Sequence, residues 1–272
     1  MLLAAARDGA YDRAMAALLA PPPEREALLA LAALSAELVR IAPQTRREPH
    51  MGEIRLQWWR EALAPAAPPS GNPVADAVKA AMARHGWAAA DIEGIVDAHA
   101  HDGLADAYAD DAELIAGLRL GEGALFRLAA ATLGMAPGAE LDRLAEHAGV
   151  AYGLARRLLA LPQLVALGHV PLPQARIDAA GLSLPEILAG EAEVAGLVAD
   201  LGALAADRLA LARPAVRGLG RRIRCAFLPL ALVGSYLRKA TRAGRNPLRD
   251  AAEVAPIERL ARLLAAHALG RL

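Results

Sequence analysis

At 272 residues and 56% hydrophobic content, the chain is long enough to bury a sizeable core, as one large domain or two small ones. Thirty basic residues balance thirty acidic ones, so no global field favours nucleic acid, which is not expected as a partner. One cysteine, Cys225, excludes an internal disulfide and makes a reducing, cytoplasmic compartment the default expectation.

The apolar residues are mostly Ala and Leu, and only 3% of the chain is aromatic. Ala and Leu stabilise helices best, whereas sheets want β-branched and aromatic side chains, so an all-α fold is expected. The pattern predicts a first helix over 2–20. Arg7, Asp8, Asp12 and Arg13 interrupt its apolar run, which argues against a secretory signal. Pro21-Pro22-Pro23 closes it, and a second helix follows to about residue 42, apolar around most of its circumference and therefore central. Glu37 lies near one edge of this helix and Arg40 faces outward. Pro43 ends it, and 44–49 reads as a polar connector.

The next stretch, MGEIRLQWWREAL over 51–63, holds two of the three tryptophans. On a helical wheel Ile54, Leu56, Trp58, Trp59, Ala62 and Leu63 sweep one broad apolar arc, and Arg55 falls inside it. A guanidinium among apolar neighbours must be paired or face an anion. Glu37 on the preceding helix is the expected partner, with Trp58 and Glu37 structural.

A Pro-rich loop over 65–73 precedes a helix over 74–85. A long helical pattern follows over 89–107, and Asp110 to Glu113 caps a helix that ends near Gly134. Another helix spans 141–161, stopped by Pro162, and a loop-rich passage to 184 could cover one end of a bundle. Helices over 185–211, 219–243 and 256–269 complete the chain. The longest strongly apolar run, 225–233, is far short of the roughly 20 residues needed to span a bilayer.

Asp97, His99, His101, Asp102 and Asp106 carry metal-ligating side chains, but helical spacing divides them between faces, and they read as a solvated polar face. Asp110, Asp111 and Glu113 could suit magnesium, yet helix capping explains them more simply. Arg221, Arg222 and Arg224 read as a solvated helix start, with a diphosphate or lipid head group as the alternative ligand. No metal centre is expected.

The segment GEIRLQWWREAL resembles the Arg-Leu-x-Trp-Trp-Arg helix of the squalene/phytoene synthase family. AYGLARRLLALPQLVALGHVPLP, over 151–173, resembles the family's helix carrying its second Asp-rich motif, and RCAFLPLALVGSYL, over 224–237, resembles a late helix of the family. The resemblance implies the all-α isoprenoid (terpenoid) synthase fold, one helical bundle over 1–272 around a central apolar cavity. Arg55, Trp59, Arg156, Arg224 and Tyr236 are the candidate ligand-binding residues. Catalytic members hold Mg²⁺ with Asp residues from two motifs. Aligned by eye, the first motif falls on Val39, Arg40 and Pro43, and the second on Arg156, Ala160 and Leu164; the Tyr that usually precedes Leu-Pro is Pro171. None of these is a carboxylate.

This pattern is similar to a non-catalytic branch of the family that assists assembly of respiratory complex I. The expectation is a protein without cofactor that binds an isoprenoid, a lipid or a respiratory-complex assembly partner, with room for peripheral contact at the inner membrane. The alternative is an active prenyltransferase that condenses prenyl diphosphates without the usual Asp-Mg site, in which case Mg²⁺ would be the cofactor.

Overall fold

The computed structural model describes residues 1–45, 48–100 and 107–272. Among them every regular element is a helix, apart from one isolated bridge between Tyr108 and Pro173. The all-α expectation holds. No helix among the described residues is long and apolar enough to cross a membrane.

The predicted first helix is two, α1 (Leu2–Arg7) and α2 (Tyr11–Leu18), broken around Gly9. A Cβ on Gly9 would lie 2.9 Å from the Ala36 Cα, so the chain turns there against the next helix. That helix, α3 (Pro22–Val39), begins with the prolines, whose missing N–H groups cost nothing in a first turn, and is buried around most of its circumference. Pro43 does not close it; it lies inside a short α4 (Ile41–Thr45) that continues the chain after a bend at Arg40.

The Trp-Trp stretch forms α5 (Pro49–Leu63). Its buried stripe is narrower than the wheel suggested: Leu56, Trp59, Ala62 and Leu63 are buried, whereas Ile54 is 56% and Trp58 40% exposed. Trp58 stands edge-on to Trp59 with ring centroids 5.0 Å apart. Arg55 lies outside this stripe, exposed, and donates to the Gln44 Oε1 at 2.5 Å. The expected Arg55–Glu37 pair does not form. Glu37 is held by Arg40 one turn along α3, at 2.6 Å, and Arg40 also donates to the Ala5 carbonyl. A near neighbour on its own helix satisfied the carboxylate first.

After α6 (Pro73–His85), the predicted long helix is described only as α7 (Ala89–Asp97). The helix expected from Asp110 to Gly134 is α8 (Asp111–Leu118) and α9 (Ala124–Thr132), joined by a π-helical turn at Arg119–Gly123. α10 (Ala139–Leu159) crosses that turn and is buried on every side over 148–155. One side of α10, with Ala148, Ala151, Tyr152 and Ala155, belongs to the larger apolar cluster. The other side, with Val150, Leu154 and Leu158, belongs to a second cluster.

The loop-rich passage contains α11 (Leu161–Ala166) and α12 (Gln174–Ala179). The predicted 185–211 helix divides into α13 (Leu184–Ala189) and α14 (Ala195–Gly218) at Gly190, whose φ of 71° suits a helix end. The next is α15 (Arg221–Arg224), a 3₁₀ segment (Cys225–Leu232) containing Pro229, and α16 (Val233–Ala240). Pro229 lacks the N–H that an α-helix needs there. α17 (Pro256–Leu269) matches its prediction.

The α10 crossing is the tightest point. A Cβ on Gly149 would lie 2.4 Å from the Gly123 backbone nitrogen, a contact that no side-chain motion relieves. Gly149→Ala should therefore cost at least about 1–3 kcal/mol in urea unfolding. Gly196→Ala, with open space around it, should cost nothing measurable. Equal stabilities for the two variants would contradict the close crossing.

Candidate functional site

A cavity of about 680 Å³ opens between the end of α3, α4, the end of α7, the π turn, the second half of α10, and α11. Val39, Pro43, Leu118, Leu125, Ala160 and Leu164 give it apolar walls. His99, Glu122, Arg156, Arg157, Gln163 and His169 add polar groups. Its volume lies within the range of about 300–1,000 Å³ typical of ligand sites.

Glu122 is the central polar side chain. The π turn inserts an extra residue into the helix, as such turns often do at functional sites, and Glu122 within it lines the cavity. Arg13 on α2 meets its Oε2 at 2.5 Å, and Arg156 on α10 meets its Oε1 at 3.0 Å. The break between α1 and α2 has a consequence at this point: the Gly9 carbonyl accepts from the Arg156 Nη2 at 3.3 Å. The Arg13 guanidinium also lies 4.3 Å above the Phe126 ring centroid, a cation–π contact.

Behind this layer Asp12 is buried. It accepts from the Tyr152 hydroxyl at 2.7 Å, from the Tyr236 hydroxyl at 2.5 Å and from the Arg259 Nε at 2.6 Å. Burial and the adjacent Asp12 charge push both tyrosine hydroxyls up, so they remain neutral donors. Burial would raise the Glu122 pKa, but the Arg13 and Arg156 charges outweigh it and hold it below its ordinary value. Burial opposes the charge on Arg156, and Tyr152, Glu122 and Asp12 overcome it; its pKa is raised.

Of the five residues singled out by sequence, Arg156 lines the cavity. Tyr236 stands behind the wall on Asp12. Trp59 is buried in the larger apolar cluster, Arg55 is exposed on α5, and Arg224 donates to the Leu219 carbonyl; none of these three lines the cavity. Asp12, Arg13, Glu122 and Tyr152 escaped sequence reading. Asp12 and Arg13 carried a signal, since two adjacent charges interrupt an Ala-rich helix, but nothing local marked Glu122 as buried.

Asp97 pairs with Arg60 at 2.8 Å, and His99 lines the cavity. His101, Asp102 and Asp106 lie outside the described residues. Asp110 caps α8 by accepting from the Glu113 N–H at 2.9 Å, and Glu113 accepts in turn from the Ala109 N–H. Asp111 is held by Arg176 at 2.7 Å.

The family profile described as squalene/phytoene synthase matches residues 6–260. This chain belongs to the squalene/phytoene synthase family. The fold is that of its solved relatives. Squalene synthase HpnC from Alicyclobacillus acidocaldarius superposes with a TM-score of 0.71 and 18% identity, over 89% of this chain and 92% of that one. A dehydrosqualene synthase in complex with ligand gives a TM-score of 0.76 and 14% identity, over 98% and 94%. No curated protein matches the sequence. The bundle thus has the isoprenoid synthase fold.

Synthases of this family use Mg²⁺, and the donors described here do not suit it. Among the described residues no three His, Cys, Asp or Glu side chains converge. Glu122, the carboxylate on the cavity wall, has each oxygen engaged by a guanidinium. A metal cation there would compete with two arginines for one charge.

A pH dependence follows from the depressed Glu122 pKa. Its ion pairs stabilise the fold fully above the ordinary carboxylate range, and that contribution is lost as pH falls through the lower folded value. Glu122→Gln should cost about 3–5 kcal/mol near neutral pH, the scale for breaking a buried pair. In urea unfolding across pH the gap from wild type should shrink on the acid side; a pH-independent gap would contradict the pairing.

Proposed function

We propose that this protein is a non-catalytic member of the squalene/phytoene synthase family whose cavity holds the hydrocarbon chain of an isoprenoid or lipid. One observation carries the reading. Val39, Pro43, Arg156, Ala160 and Leu164, which fall by alignment on the family's metal-binding positions, line this cavity, and none of them offers a carboxylate. An apolar cleft remains where a metal–diphosphate cluster would need anionic donors. The resemblance to the complex I assembly branch extends the proposal: the loaded protein serves assembly of respiratory complex I through a protein partner.

Incubation with farnesyl or geranylgeranyl diphosphate and Mg²⁺ should give no condensed product. A metal-dependent prenyl product would overturn the proposal in favour of an active prenyltransferase. Farnesol or geranylgeraniol should raise the thermal midpoint of the wild-type protein, and Ala160→Phe, which fills the cleft, should abolish that rise. An equal rise in both would place the ligand elsewhere.

A deletion strain should lose complex I activity and regain it from the wild-type gene. Unchanged activity in the deletion strain would refute the assembly role.

A further inference from the structure

The overall charge of zero conceals a segregation. No Asp or Glu occurs between Asp207 and Asp250, whereas that interval holds eleven Arg and Lys. Five of them, Arg213, Arg217, Arg221, Arg222 and Arg224, fall within residues 213–224, at the end of α14 and in α15. Among the described residues Arg222 alone of these five has a carboxylate partner, Glu24 at 2.6 Å. Arg217 and Arg221 are exposed.

An apolar helix face adjoins this cluster. Arg221 approaches the His267 ring of α17 at 3.1 Å, and Arg224 lies against Gly270 at the end of the same helix. α17 buries Leu263 and Ala266 but leaves Ile257 73% and Leu264 45% exposed. At 100° per residue, Ile257, Ala261, Leu264 and Ala268 form one strip that borders His267, on the flank facing Arg221. Burial, then the charges of Arg221 and Arg224, lower the His267 pKa, as expected beside uncompensated arginines.

We propose that the α15–α17 face docks on an anionic lipid bilayer, with Arg217 and Arg221 at the head groups and Ile257 and Leu264 entering the interface. Charge complementarity selects this occupant. Arginines without a carboxylate partner beside an exposed apolar helix strip are the combination that a negatively charged membrane surface binds, each basic residue and each buried apolar side chain adding to the attraction. The surface lies apart from the cavity and does not depend on what the cavity holds.

The test is flotation of the full chain with phosphatidylcholine vesicles, with and without phosphatidylglycerol. Wild type should float with the anionic vesicles, weaken with added salt and ignore the neutral ones. The double variant Arg217→Glu, Arg221→Glu should lose at least about a factor of five in partition per arginine. Leu264→Ser should weaken binding without changing its salt dependence, and helical circular dichroism should match wild type in each variant. Absence of wild-type binding, equal binding to neutral vesicles, or undiminished binding by the double variant would overturn the proposal. So would self-association that buries this face without vesicles and is abolished by Leu264→Ser.

Discussion

The cavity wall depends on keeping Glu122 ionised inside an apolar bundle. A lone carboxylate there would protonate or unfold its surroundings, because desolvation of an ion costs several kcal/mol at the least. Two guanidinium groups prevent this, and they come from different parts of the chain: Arg13 from α2 and Arg156 from α10. One carboxylate therefore ties three segments together. Arg156 adds a fourth through the Gly9 carbonyl, which the break between α1 and α2 exposes to it. Beneath them Asp12 repeats the arrangement with two tyrosines and Arg259, so α10, α16 and α17 are held to α2 as well.

This network alters what the cavity can do. A cation is built into the wall as Arg156, held by a carboxylate and a backbone carbonyl. A ligand entering the cleft meets Val39, Ala160 and Leu164 and a guanidinium already partnered. Apolar contact with these walls is one source of affinity that the cleft offers. The architecture itself rests on apolar surface and close glycine contacts, such as Gly149 on Gly123.

The fold class was legible because Ala and Leu periodicity is a local signal, and so was α17, bounded by Pro256 and Gly270. The breaks were not. Gly9, the π turn and the gap between α13 and α14 are set by what packs against them, and a glycine inside a helical pattern reads the same whether or not the helix continues. The Trp-Trp helix shows the limit of a wheel: Ile54 and Trp58 have the periodicity of a buried face and yet are exposed. Arg55 was read from its apolar neighbours, but only the distance to Gln44 settles its partner. At the site, Arg156 was legible through the family comparison. Glu122 was not, because its burial is created by residues 34 and 109 positions away.

The two surfaces lie at opposite ends of α3. Its first turn meets α15 through Glu24 and Arg222, and its last residue, Val39, lines the cavity. At 1.5 Å per residue its 18 residues span about 27 Å. The basic face at α15 and the cleft are therefore set apart by roughly that length along α3.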